Sequence, residues 1–419
     1  MHKKIVLSII ATTALLANTE YSATDKFVPD ISLITDFSYV NRSIDPEDFE
    51  AVEMPGLTHS AAEGEDHGHD HGGSSEGFNL NYAELGIAAS VDHRFDLSST
   101  FHLSEESFEI EEAFIKTRGL GYGFDAKLGK FLSGIGRLNP HHSHAWSFDA
   151  SPMIYKAFLG DHGLLEKGVQ LTWVAPTETY LQLGIEMLQG ENEASFGVEE
   201  FSIVPIDGNE DNTTEVEAAD KPAMTAAFVK TSFDTGDLTT LLGVSYITGE
   251  TKINHTDHGF DGTTTITAAD LTLKYMLDSY ASITWQSEYM QRMMDGDQIA
   301  QNEADETKVN VVDMEKVQSG YYTQLVYRMD KEWQAGVRYE SILENTVKAN
   351  GNEVDLPDEM SKSTLVLDYN PSHFSRIRFQ YTMDDSQYME VDGEDKKEAY
   401  TEFTVSFNMA IGAHGAHSF

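Results

Sequence analysis

Residues 402–411 read Glu402-Phe403-Thr404-Val405-Ser406-Phe407-Asn408-Met409-Ala410-Ile411, with a large apolar residue at every second position. Successive side chains of a strand point to opposite faces, so this segment has one greasy face and one polar or small face. The pattern recurs upstream. In 376–383, Ile377, Phe379, Tyr381 and Met383 alternate with Arg376, Arg378, Gln380 and Thr382. In 333–340, Trp333, Ala335, Val337 and Tyr339 alternate with Gln334, Gly336, Arg338 and Glu340. In 181–187, Leu181, Leu183, Ile185 and Met187 alternate with Gln182, Gly184 and Glu186.

Strands of this kind are expected at 31–40, 78–91, 95–103, 109–117, 123–131, 167–174, 179–189, 223–233, 237–248, 264–277, 281–292, 318–329, 333–343, 361–369, 375–384 and 398–411. A soluble sandwich also alternates, so the connections decide. Short ones (Asp92-His93-Arg94, 118–122, Ala175-Pro176-Thr177-Glu178, Asp234-Thr235-Gly236, Asp278-Ser279-Tyr280, Asp330-Lys331-Glu332, 370–374) take turns with 41–77, 132–166, 190–222, 249–263, 293–317, 344–360 and 385–397. Only 104–108 is short in the second set. Short periplasmic turns opposite long outer loops mark a membrane barrel. The expected fold is all-β: a transmembrane antiparallel β-barrel of about 16 strands, an even number as bacterial barrels have. Tyr275, Tyr280, Trp285, Tyr289, Tyr321, Tyr327, Trp333, Tyr339, Tyr369, Tyr381 and Phe403 suit interfacial girdles, and the final Phe419 resembles an outer-membrane assembly signal.

At the N-terminus, the basic His2-Lys3-Lys4 precedes an apolar run from Ile5 to Ala17. That is the layout of a secretory signal peptide, expected over 1–23, and too short for a spanning helix. Residues 24–419 are then a single barrel domain, with a His- and acid-rich outer loop at 41–77 and a constriction loop at 132–166. No plug domain is expected ahead of it. The chain of 419 residues carries 70 acidic and 28 basic side chains, a formal net charge of -42. Nucleic acid is therefore not an expected partner, since phosphate binding needs clustered cations. With no cysteine, disulfides, thiolate metal ligands and a thiol nucleophile are excluded.

Two stretches have metal-ligating chemistry. The first is Glu63-Gly64-Glu65-Asp66-His67-Gly68-His69-Asp70-His71-Gly72-Gly73, with His59 before it. Imidazoles at alternate positions among carboxylates suit zinc, copper or nickel; a solvated loop with titrating histidines is the alternative. The second, in the third outer loop, holds His141, His142 and His144, either as a metal relay at the constriction or as hydrogen-bonded wall residues. Trp146, Phe148, Met153, Ile154, Tyr155 and Phe158 imply that this loop packs against something. Arg328, Arg338, Arg376 and Arg378 are expected on the pore-lining face, either setting a field across the pore or paired with acids such as Glu340, Glu288 and Glu402. No Gly-x-Ser-x-Gly, His-Glu-x-x-His or phosphate loop occurs, so an enzyme is not expected.

Through Gly129-Lys130-Phe131, Gly136 and Asn139-Pro140-His141-His142-Ser143-His144-Ala145-Trp146-Ser147-Phe148, and the tail Ala413 to Phe419, the chain resembles a porin-like family of epsilonproteobacteria. Its members are often labelled zinc-regulated TonB-dependent outer-membrane receptors; phosphate-selective porins are more distantly similar. The resemblance implies a bacterial outer-membrane location, an association with zinc, and homotrimers. A TonB-dependent receptor carries a plug and about 22 strands, for which this chain has no room. A porin-like channel for small solutes or ions, assisting uptake of zinc or another divalent cation, is thus the expected function. A plugless metal receptor and a surface adhesin are the alternatives. Expected partners are outer-membrane lipid, lipopolysaccharide and the solutes themselves, and no cofactor is required.

Overall fold

A computed structural model describes residues 29–58, 74–104, 107–192, 194–255, 257–302, 304–357, 359–391 and 394–412. Sixteen strands form one closed antiparallel barrel. They are β1 (Asp30–Arg42), β2 (Gly77–Ser90), β3 (Phe95–Leu103), β4 (Phe108–Thr117), β5 (Phe124–Leu132), β6 (Leu165–Val174), β7 (Tyr180–Leu188), β8 (Met224–Thr235), β9 (Leu238–Asn254), β10 (His258–Met276), β11 (Ser282–Gln301), β12 (Val309–Arg328), β13 (Trp333–Ala349), β14 (Ser361–Ser372), β15 (Ser375–Asp384) and β16 (Tyr400–Gly412). Each pairs with the next, and β1 closes the ring on β16 from Ser32↔Gly412 to Arg42↔Glu402. No edge is left to template another chain.

The burial pattern is inverted relative to a soluble protein. On β15 the exposed side chains are Phe379, Tyr381 and Met383, whereas Arg378, Gln380, Thr382 and Asp384 are buried. Apolar residues face lipid and polar ones face the lumen. The girdle aromatics lie on the outward face; Trp333 meets Tyr369 at 4.7 Å and Tyr321 meets Tyr339 at 6.2 Å between ring centroids. Among the described residues no helix is long and apolar enough to cross a membrane. Three short turns share one device. The Asp92, Asp278 and Asp330 carboxylates each accept two backbone N–H groups just ahead, from Arg94 and Phe95, Tyr280 and Ala281, and Glu332 and Trp333. Aspartate in this role closes a turn that the backbone alone would leave open.

The expected strands all form, but five run further outward than the alternation indicates. Segments 249–263 and 293–317, expected as loops, are largely strand: β9 reaches Asn254, β10 begins at His258, β11 reaches Gln301 and β12 begins at Val309. Beyond the lipid the outward face meets water and carries Asp295, Asp297, Asp313 and Glu315, so its greasy half of the period disappears. Inside, Phe260, Met294, Met314 and Val347 form a small apolar cluster that holds this extension together.

The third outer loop (residues 133–164) contains helix α1 (Met153–Leu159) and turns into the barrel. Its Ile135, Leu138, Phe148, Met153, Ile154, Tyr155, Phe158 and Leu159 are all buried. All but Phe148 form one core with wall residues such as Phe228, Ile266, Met290 and Tyr322, and Phe148 packs separately with Val326 and Val366.

Candidate functional site

The loop enters the lumen at a strained turn. Gly136 has φ +54, and a Cβ there would stand 2.6 Å from both Glu288 Oε2 and Tyr155 Oη, so only glycine fits. The turn exposes two backbone N–H groups. Arg137 N and Leu138 N donate to Glu288 at 2.9 and 3.0 Å, Tyr155 Oη donates at 2.8 Å, and Tyr322 Oη also donates to the same carboxylate. Four donors surround an acid that is almost fully buried.

From there the loop tours the wall. Ser133 and Gly134 bond Glu186 on β7, and the Gly136 carbonyl accepts from Lys230 Nζ on β8. Asp149 N donates to Gln380 on β15, and Asp149 accepts from Arg378 Nη1 at 2.9 Å and from Ser406 Oγ on β16. Met153 N donates to Glu340 and the Ala150 carbonyl accepts from Arg338, both on β13. Asn139 fastens the loop's two ends, donating to the Ser133 and Leu164 carbonyls and accepting from Leu164 N. Arg292 on β11 donates to the carbonyls of Ala157 and Ala194 and stacks over Phe158 at 4.9 Å. The loop therefore lies across the lumen and is tied to walls on opposite sides.

Its middle carries the histidines. His142 Nε2 sits 2.9 Å from Glu112 Oε2, and its Nδ1 lies 3.2 Å from Glu111 Oε1 and 3.7 Å from Glu84 Oε2. His144 Nδ1 lies 3.1 Å from the same Glu84 oxygen. The two imidazoles are stacked, with centroids 5.7 Å apart. Burial alone would lower the His142 pKa, but the Glu111 and Glu84 carboxylates outweigh it and hold that pKa well above the usual histidine value. His141 is the reverse. Burial first, then the nearby Arg137 and Lys230 charges, push it down to about 3, so it is neutral.

Comparison with family models found no match. A protein of Aquifex aeolicus, described as uncharacterized, is 45% identical over 400 residues, spanning 94% of this chain and 80% of that one. The chain belongs to that protein's family. Among solved structures, Salmonella typhi OmpF in complex with daunomycin matches at TM-score 0.51 and 9% identity, covering 93% of this chain and 99% of that one. An anion-selective porin from Comamonas acidovorans matches at TM-score 0.50 and 9% identity, covering 91% and 99%. At such identities the likeness shows the fold alone: a porin barrel, and with it an outer-membrane location for this family member.

Against that frame the expected site residues separate into three groups. Arg338, Glu340, Arg376 and Arg378 face the lumen, and Arg328 stands exposed at the periplasmic end of β12. Arg338 pairs with Glu340 at 2.7 Å, and Arg378 pairs with Asp368 at 2.8 Å and with Asp149. Glu402 pairs with Arg42, while Glu288 holds the loop and no arginine side chain. His142 and His144 come together with carboxylates; His141 points away, with its carbonyl accepting from Trp146 Nε1. His59, His67, His69, Asp70 and His71, like the expected signal peptide 1–23 and the tail 413–419, lie outside the described residues. The chain before that histidine stretch is anchored at the mouth: the Pro55 and Gly56 carbonyls accept from Asn345 and Gln318. Glu84, Glu111, Glu112 and Asp368 were not singled out from sequence, because an inward polar residue is what every barrel strand carries, and neither was the loop residue Asp149.

Proposed function

We propose that the protein is a porin-like outer-membrane channel for small solutes and ions, with the third outer loop setting its aperture. The observation that carries this is a polar-walled closed barrel crossed by a loop tied to opposite walls. Cations are the favoured solutes. The net charge of -42 gives a negative field over the outer mouth, and the loop histidines sit among three carboxylates. Passage of divalent metals such as zinc is the finer reading. It agrees with the His67–His71 stretch and with the resemblance to epsilonproteobacterial barrels labelled zinc-regulated. Purified protein in a planar bilayer should give small discrete conductance steps, with a reversal potential under a salt gradient that favours cations. Absence of steps ends the channel reading; an anion-selective potential ends the cation preference.

The proposed partners follow from the outer surface. Asp295 is registered opposite Glu315 and Asp297 opposite Asp313, outward and above the lipid. Opposed acids repel unless cations bridge them, which suits the level where divalent ions link lipopolysaccharide. A homotrimer is supported by the short side of the barrel, where β3 to β6 have 9 or 10 residues against 19 and 20 in β10 to β12. That side presents Phe95, Leu97, Phe108, Ile110 and Leu128 outward.

A further inference from the structure

The placement of Glu111 is irregular in a way that serves one spot. On β3 the register slips between Thr100, opposite Glu112, and Phe101, opposite Ile110, so Glu111 is the extra residue of a β-bulge. In a regular strand, consecutive residues point to opposite faces, and one of Glu111 and Glu112 would sit in lipid. The bulge turns both carboxylates onto His142. Bulges re-aim side chains in this manner and gather near functional sites. A second slip on the same wall, between Asp36 and Phe37, makes Asn81 the extra residue of β2 three positions before Glu84.

The imidazole is held like a metal ligand. Glu112 engages Nε2 with one oxygen while its other oxygen accepts Leu132 N at 2.8 Å. A carboxylate fixing the far nitrogen of a histidine is the usual outer support of a ligating imidazole. Nδ1 makes no well-directed hydrogen bond although it is buried, and it faces the Glu111 and Glu84 oxygens. The Nδ1 of His142 and one oxygen from each of Glu84 and Glu111 lie within 4.8 Å of one another. Nitrogen and oxygen ligands about 2.0–2.1 Å from a tetrahedral ion are about 3.3 Å apart. The observed separations are 3.2 Å (His142–Glu111), 3.7 Å (His142–Glu84) and 3.1 Å (Glu84–His144). The two His142 separations need only tenths of an ångström of adjustment, whereas His144 lies outside the group that comes within 4.8 Å and has to swing in from Glu84. Side-chain exposures from 9% to 22% across the four leave the spot reachable from the lumen.

We propose that Glu84, Glu111 and His142 form a lumenal binding site for a divalent transition-metal ion of the zinc and cobalt class, with His144 swinging in from Glu84 as the fourth ligand. Two imidazoles with two carboxylates suit such borderline ions, whereas calcium and magnesium take oxygen ligands in larger number. The site deepens the channel reading, on which it rests only for the ion's route in.

The test uses the processed full chain in detergent, with His59, His67, His69, His71, His414 and His417 each changed to Asn so that no other histidine-rich stretch contributes. Titration with Co²⁺ should give the d–d absorption of a tetrahedral ion, saturating at one per chain and displaced by Zn²⁺. Glu111→Gln should weaken binding at least about tenfold, and Glu112→Gln by about ten- to a hundredfold. His255→Asn with His258→Asn, on the distant β9–β10 hairpin, should leave it unchanged. His142→Cys should add a sulfur-to-cobalt charge-transfer band, which a merely structural residue would not. No tetrahedral spectrum, equal affinity in Glu111→Gln, or no such band in a His142→Cys barrel that still migrates as folded would each overturn the proposal. Absorption does not depend on conduction. A chain that takes one Co²⁺ yet conducts nothing keeps the site and loses the channel; one that conducts without binding Co²⁺ does the reverse.

Discussion

Replacing Glu288 by Ala should free the third outer loop from the lumen and raise single-channel conductance several-fold. The carboxylate accepts from Arg137 N, Leu138 N, Tyr155 Oη and Tyr322 Oη. Without it, four buried donors lose their acceptor at once, each worth about 1–3 kcal/mol when left unpaired. Water entering from the lumen recovers part of that, so the net loss should be about 3–5 kcal/mol, in the range seen when one partner of a buried charged network is removed. It falls on the loop and not on the barrel, because the strand ladder from β10 to β12 does not use this side chain. Glu288→Gln keeps the shape and two of the acceptor positions and should show a much smaller change. Bilayer conductance and thermal unfolding of the refolded protein read the two effects separately. Unchanged conductance in Glu288→Ala would mean that the loop is held by its apolar contacts and its other ties, such as those to Glu186, Glu340 and Arg378.

That the loop packs against something was legible in Trp146, Phe148, Met153, Ile154, Tyr155 and Phe158, since so many large apolar residues would not stay in water between two strands; that it turns into the lumen was not. The strands were legible for the converse reason. Lipid outside and water inside impose a period of two, and it stops being readable where β9 to β13 rise above the lipid and the outward face becomes acidic while the inward face carries an apolar cluster. The metal-type cluster was only half legible. His142 and His144 stood out as residue types, but nothing in His141-His142-Ser143-His144 shows that His141 turns to the Arg137 side. Glu111 left a usable trace. Phe108 and Ile110 are outward, and so is Ile115, so the apolar period changes from even to odd across Glu111-Glu112. Such a phase change within one strand is the signature of a bulge. Glu288 stood out only as a lumen acid expected to pair with arginine, and Asp368 left no trace, because their roles come from which loop atoms and neighbours reach them.

Arg378→Met should be the most damaging single change on the β15 wall. Arg378 engages Asp368 through two parallel bonds of 2.8 and 2.9 Å, Asp149 through a third of 2.9 Å, and the Trp146 carbonyl through a fourth of 3.1 Å. Its side chain and that of Asp368 have no exposed surface. Removing the guanidinium strands a buried carboxylate, at a cost of about 3–5 kcal/mol, and unties the loop at Asp149. Arg378→Lys should recover little, because a point charge cannot reproduce the fork that meets Asp368 and Asp149 together. The double variant Arg378→Met with Asp368→Leu should be markedly more stable than Arg378→Met alone, since no charge is then left unpaired. A double-mutant cycle on thermal stability reads this directly, and additive losses would show that the pair is not coupled. The same variants separate stability from selectivity. Arg378→Met removes a lumenal cation and should move the reversal potential further towards cations, whereas the double variant removes one charge of each sign and should leave it near the parent value. Identical potentials in all three would place the conduction path away from this wall.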